Sequence, residues 1–293
     1  MLKNRALSAA LLAALACAAG TDTAHAASAA SAAGQAPDAR GVSGVSIPAS
    51  SLSLLSHAVR DHHTPPGKTS GKSSGTMKST NWAGYAVTGG TYTSVSANWI
   101  EPSVTCTSNG IVGFWVGLDG WGSTSVEQDG TGVDCSKGTP QQFAWWETYP
   151  ANSVQVYGAP VAAGDQMSSS IVAQPHGKYV MVLTDWTQRW TVRNPATLPV
   201  GKNASAEIVA EAVTAGSDIT TLPDFGAIGF TNASINRGSL QAAGAQSIDM
   251  TDALDNVIAT TTDADPNSDF IVNYTGTLAS APLRRASHLL GAV

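Results

Sequence analysis

The chain has 293 residues, with 15 Lys+Arg against 21 Asp+Glu and six histidines, for a formal net charge of −6. The charge is unevenly spread: residues 79–293 hold 18 acidic against 8 basic residues, a balance of −10, whereas 27–78 hold 2 against 5, a balance of +3. So acidic a C-terminal part repels phosphate backbones, which argues against a nucleic-acid partner, and its self-repulsion falls in acid as carboxylates protonate.

At the N-terminus, Lys3 and Arg5 precede an apolar run from Ala6 to Gly20, followed by small residues to Ala24-His25-Ala26. This is the layout of a secretory signal peptide over residues 1–26, cleaved after Ala26, with Cys17 inside it. The run is shorter than the roughly 20 residues a bilayer requires. The mature protein is therefore expected to be secreted and extracellular, with no membrane partner. Residues 27–78 are rich in Ala, Ser, Gly and Pro and end in His62-His63-Thr64-Pro65-Pro66-Gly67-Lys68. They read as a propeptide or disordered linker. Their basic balance, with His57, His62 and His63, suggests that they dock on the acidic domain as its own propeptide and are released in strong acid.

Composition changes abruptly at Thr80-Asn81-Trp82, opening one domain over residues 79–293. Strand-length, largely alternating runs follow: Val95 to Ile100, Ile111 to Leu118, Met167 to Ala173, Tyr179 to Trp186, Ala206 to Val213, Ala227 to Thr231 and Phe270 to Tyr274. Gly89-Gly90 and Pro175-His176-Gly177 punctuate them, and no 12-residue window has a clean helical period. The predicted class is all-β, a two-sheet antiparallel β-sandwich of jelly-roll type. No repeat, phosphate loop or dinucleotide fingerprint is present, and no cofactor is expected. Cys106 and Cys135 form an even pair in an oxidising compartment. A disulfide closing a loop of about 30 residues, worth about 3 kcal/mol, is the economical reading. A zinc site is the weaker alternative, since no histidine lies nearby to complete a shell, and no metal is expected.

After Ser79 the only histidines are His176, in a turn, and His288, near the C-terminus. Ser-His-Asp and Cys-His devices need a histidine positioned beside the nucleophile, and three-histidine zinc chemistry needs more of them. What remains is carboxylate, amide and tryptophan. These concentrate in Gly113-Phe114-Trp115-Val116-Gly117-Leu118-Asp119-Gly120, Val126-Glu127-Gln128-Asp129-Gly130, Val133-Asp134-Cys135 and Ala144-Trp145-Trp146-Glu147-Thr148-Tyr149-Pro150.

Together with Asn81-Trp82-Ala83-Gly84-Tyr85, Ala206-Glu207-Ile208-Val209-Ala210-Glu211, Asp224-Phe225-Gly226 and Phe230-Thr231-Asn232-Ala233, these segments resemble the glutamic peptidases known as eqolisins. The resemblance implies a sandwich of two antiparallel sheets with a catalytic glutamine and glutamate on its concave face, and polypeptide substrates. By motif position it assigns these roles to Gln128 and Glu207. It places Asp119, Asp134, Trp145 and Glu147 among the residues lining and supporting the cleft. The segment lengths around Gln128 differ slightly from the fungal pattern, and Ile208 stands where the family usually has Trp, which bears on the substrate-side wall near Glu207.

The residue types suit the chemistry. Hydrolysis of a peptide bond needs a group to take a proton from water, a donor for the oxyanion and an acid for the leaving amine. A carboxyl group can serve both proton steps, and a primary amide can donate to the oxyanion while its carbonyl holds the water. Several positions admit two readings. Trp115 and Trp145 are either a substrate-binding platform or core, with Trp145 and Glu147 sharing one strand face and Trp146 on the other. Glu211 shares a face with Glu207 and is either a second cleft carboxylate or a solvated one. Asp119 is either a site residue or the turn residue before Gly120. The rival functions are a carbohydrate-binding or glycan-cleaving sandwich, with Glu207 and Glu147 as its carboxylates, and a noncatalytic secreted binding domain. The domain is expected to be a monomer.

Overall fold

The computed structural model describes residues 76–215 and 218–276. The signal peptide, most of residues 27–78 with His57, His62 and His63, and His288 lie outside the described residues. In chain order the strands are β1 (Met77–Ser79), β2 (Trp82–Thr88), β3 (Ser94–Ile100), β4 (Ile111–Asp119), β5 (Val126–Asp134), β6 (Gln141–Tyr149), β7 (Asn152–Val156), β8 (Gln166–Gln174) and β9 (Lys178–Asp185). They continue with β10 (Trp190–Thr197), β11 (Ser205–Ala212), β12 (Thr214–Ala215), β13 (Asp218–Ile219), β14 (Ala227–Ile235), β15 (Gln246–Thr251), β16 (Val257–Thr261) and β17 (Phe270–Tyr274). Among the described residues the one helix is short: α1 (Leu240–Ala243) starts where the Ser239 hydroxyl accepts from Ala242 N–H and stops at Gly244 in a left-handed conformation.

Every run expected from alternation lies on a strand, except that Trp186 and Val213 fall just past the ends of β9 and β11. The pairing is a single hydrogen-bonded path, β10-β9-β8-β3-β14-β17-β16-β15-β2-β11-β4-β5-β6-β7, antiparallel throughout, rather than two separate sheets. The path folds back on itself, so that β8 and β9 lie over β5, and β3 over β4 and β11, without pairing with them. Between these layers sits the main core, with Phe114, Val116, Leu118, Ile208 and Ala210 facing Trp99, Met167, Ile171, Met181, Leu183 and Phe230. Pro195 falls on β10, the end of the path, where a missing N–H does no harm. Met77–Ser79, at the expected end of the propeptide, pairs in parallel with β15, and the Lys78 ammonium contacts Asp255 at 3.0 Å.

Strands β4, β5 and β11 are buried along their whole length, on both faces. One face closes the main core. The other carries a smaller aromatic cluster of Trp82, Trp115, Phe143, Trp145 and Val209. The candidate site lies on this second face.

Candidate active site

Because side chains alternate along a strand, Glu207, Val209 and Glu211 project from the face of β11 opposite Ile208. Ile208 is wholly buried in the core between the layers. It therefore does not line the surface that Glu207 occupies, contrary to the expectation that its identity shapes a substrate-side wall. Across the strands, Glu207 is in register with Gly117, Gly117 with Gln128, and Gln128 with Glu147. The two residues expected to act together thus stand two strand spacings apart, about 9.5 Å between Cα atoms, with a glycine between them. A Cβ on Gly117 would meet Trp115 Cζ3 at 2.7 Å, so the tryptophan ring enforces the glycine.

The Gln128 amide Nε2 donates to Glu147 Oε2 at 2.6 Å, and both side chains are buried. Glu207 is wholly buried beneath the turn after β4, whose Trp121 N–H donates to Glu207 Oε1 at 3.3 Å and to Ser205 Oγ at 3.2 Å. Its other oxygen, Oε2, has no hydrogen-bond partner among the described residues. Burial holds the Glu207 carboxyl well above the usual carboxylate range; the Ser205 and Trp121 hydrogen bonds partly offset this, and the charges of Asp119 and Glu127 add to it.

Asp119 supports this region from below rather than facing open space. It sits at φ 61° at the end of β4, wholly buried. Its carboxylate accepts from the backbone N–H groups of Lys202 (2.7 Å), Asn203 (2.9 Å) and Ala204 (2.7 Å), and from the Ser125 hydroxyl at 3.3 Å. It thereby ties the turn that covers Glu207 to the loop that leads into β11. Asp134 lies six residues along β5 from Gln128, about 20 Å away. It accepts from Ser136 N–H at 2.7 Å beside Cys135, which is disulfide-bonded to Cys106 with Cα atoms 5.3 Å apart. The structure does not bring Asp134 to the Glu207–Gln128 row.

The tryptophans expected at the site are packed. Trp115 is fully buried and its Nε1–H donates to Glu211 Oε2 at 2.9 Å; Trp145 Nε1–H donates to the Thr131 carbonyl at 2.9 Å. Trp145 and Glu147 share the face of β6 that Trp146 avoids, as alternation requires, and Trp146 packs on the main core. Trp82 meets Trp115 edge-on at 5.2 Å and tilts against Trp121 at 5.7 Å. Sequence reasoning gave no role to Trp82, Trp121, Ser205 or Asn81. Trp82 was accessible to it, since it opens a motif and its strand pairs with β11, whereas the Trp121 and Ser205 contacts depend on how two loops meet.

The opposite face of β5 carries further buried acids. Burial raises Glu127 to about 9, with the Asp119 charge adding to it and the nearby Tyr179 hydroxyl opposing it. Burial likewise raises Asp129 to about 7, against hydrogen bonds from the Ser169 and Tyr157 hydroxyls. Glu101 rises to about 8 for the same reason, although Thr131 Oγ1 (2.6 Å) and Trp99 Nε1 (3.2 Å) donate to it.

Residues 80–274 match the Peptidase A4 family. Aspergillopepsin-2 of Aspergillus niger is 26% identical over 184 residues, which is 55% of this chain and 65% of that protein, so the chain spans just under two thirds of its length. Among solved structures, scytalido-glutamic peptidase with a transition state analog inhibitor has a TM-score of 0.58 at 22% identity, over 67% of this chain and 98% of that one. SCP-B, a member of the eqolisin family in complex with the tripeptide Ala-Ile-His, has a TM-score of 0.53 at 22% identity, over the same shares. At these identities the structural likeness speaks for the fold.

Proposed function

Since the chain belongs to the Peptidase A4 family, we propose that it is a secreted acid endopeptidase in which Glu207 and Gln128 hydrolyse peptide bonds on one face of a two-layer β-sandwich. The observation that carries this reading is the register Glu207, Gly117, Gln128: a carboxyl group and a primary amide on one face, separated by a position without a side chain. The Trp115 ring lies over that glycine, and a water molecule and a scissile carbonyl would sit above the ring once the covering turn lifts.

Ionised Glu207 takes a proton from the water as its oxygen attacks the carbonyl carbon. The Gln128 amide donates to the oxyanion. Glu207, now protonated, passes the proton to the leaving nitrogen as the C–N bond breaks. Burial is the main cause of the raised Glu207 pKa, so entry of water and substrate favours its ionised form. Because the turn at 120–125 covers Glu207, access requires that turn to lift. Glu147 holds one N–H of Gln128 and so leaves the other for the oxyanion. Asp119, Trp115 and Trp145 serve this site by support and packing.

Residues before Met77 complete the reading as a basic, removable propeptide. A cut before Met77 would leave β1 paired with β15. The glycan reading finds no support: Trp115 and Trp145 offer no open stacking surface, and Glu147 is engaged with Gln128. The test is hydrolysis of a denatured protein against hydrolysis of polysaccharide between about pH 2 and 7 by the acid-matured protein. Peptide products alone support the proposal, and sugar products overturn it.

A further inference from the structure

Glu211 lies four residues beyond Glu207 on the same face of β11, and it is 3% exposed. Its Oε2 accepts from Trp115 Nε1–H at 2.9 Å and its Oε1 from Asn81 Nδ2 at 3.2 Å. The indole N–H is the only polar handle of a tryptophan, so this bond determines how the ring is turned. The ring runs along its own strand. A Cβ on Gly113 would lie 3.4 Å from Cδ1, and one on Gly117 2.7 Å from Cζ3, which puts the five-membered ring beside Gly113 and the six-membered ring over Gly117. Gly117 is the residue in register with both Glu207 and Gln128. Trp82 backs the ring edge-on, at 5.2 Å and 81°.

We propose that Glu211 is a positioning residue: through Trp115 it sets the floor of the gap between Glu207 and Gln128. This inference rests on the peptidase reading above. It goes beyond that reading because Glu211 acts through Trp115 and not on the substrate. These donors, one amide and one indole, call for a group that accepts on both oxygens. A glutamine in its place accepts on one oxygen only, so its NH2 turns either toward Trp115, losing that bond, or toward Asn81, whose amide must then flip and give up the bond from the Ser79 hydroxyl. Exchanging the partners repairs this. With Asn81→Asp added to Glu211→Gln, the introduced amide accepts from Trp115 through its carbonyl while its NH2 donates to the new carboxylate, and the Ser79 hydroxyl keeps an acceptor on its neighbour.

The experiment uses the acid-matured protein, Glu211→Gln, and the double variant Glu211→Gln/Asn81→Asp. It measures kcat and KM on a denatured protein and the indole N–H resonance of Trp115, assigned with Trp115→Phe. Expected for Glu211→Gln is a shifted, less protected Trp115 resonance and a kcat lowered about tenfold or more, with KM changed less than about threefold. Expected for the double variant is recovery of both. A folded Glu211→Gln whose resonance moves while kcat holds overturns the proposal, as does a double variant that regains the resonance and remains slow. Should Glu211→Gln not fold, the double variant, in which both bonds can form, decides the matter in the same way. A wild type that cleaves nothing while its Trp115 resonance is protected overturns the peptidase reading instead.

Discussion

Gln128 reaches across one strand pair to place its amide Nε2 2.6 Å from Glu147 Oε2, in a row that continues through Gly117 to Glu207. The bond fixes which way the amide faces, so removing it should act through Gln128. Glu147→Gln keeps an acceptor of the same shape and should hold turnover within a few-fold. Glu147→Leu leaves a buried donor unpaired, which costs about 1–3 kcal/mol of stability, and should lower kcat at least about tenfold with a small change in KM. Steady-state kinetics and thermal unfolding of the two variants check both effects.

Gln128 itself should fail in two distinguishable ways. Gln128→Ala removes the oxyanion donor without adding charge, and kcat should fall about a hundredfold or more with the pH profile unchanged. Gln128→Glu puts a second carboxyl group within hydrogen-bonding distance of Glu147, where the pair shares a proton and one pKa rises. Activity should drop sharply and the remainder should shift to lower pH. A pH series on both variants separates the two outcomes.

The buried acids predict an acid-stable fold. Glu101 (about 8), Glu127 (about 9), Asp129 (about 7) and Glu207 all hold protons in the folded state that the unfolded chain gives up near pH 4. A raised carboxyl pKa means that the folded state binds more protons above pH 4. The stabilisation is fully present below about pH 4 and is lost as pH rises toward 9. While only the folded state is protonated, each such group contributes a slope of about 1.4 kcal/mol per pH unit. Thermal unfolding of the mature domain should give its highest midpoint in acid and a falling midpoint from pH 4 to 8, with a shallower fall in Glu101→Gln. A midpoint that rises across this range would contradict the assignment.

Much of this was legible in the sequence, for reasons that also mark where it stopped. Strands β3 and β8 alternate covered and open positions, because one face is packed and the other open, and their bounds follow from that pattern. Strand β5, Val-Glu-Gln-Asp-Gly-Thr-Gly-Val-Asp, does not look like a strand by propensity. Its glycines exist because neighbouring side chains need the space: a Cβ on Gly130 would strike the Phe114 carbonyl and the Trp115 backbone, and one on Gly132 the Phe143 ring. The shared face of Gln128, Glu147, Glu207 and Glu211 follows from parity along strands and from strand order. That Asp119 serves three backbone N–H groups, and that Trp121 caps Glu207, depends on loop paths which no period encodes.

The Cys106–Cys135 bridge joins the end of β5 to the loop before β4, away from the Glu207 row. Replacing both cysteines by serine should cost about 3 kcal/mol through the unfolded state and leave kcat at moderate temperature within about twofold. Thermal unfolding and turnover of the same preparation check this, with thiol titration of the unreduced, unfolded wild type expected to find no free thiol at either position.

The central claim is that Glu207 moves the proton, and one substitution tests it. Glu207→Gln preserves size and the hydrogen bond from Trp121, while removing the group that titrates. Turnover of a denatured protein between about pH 2 and 7, measured beside circular dichroism and peptide binding, should fall to background with fold and binding intact, because only the transition state loses an interaction. A folded Glu207→Gln that cleaves at a rate near that of the wild type would contradict the mechanism.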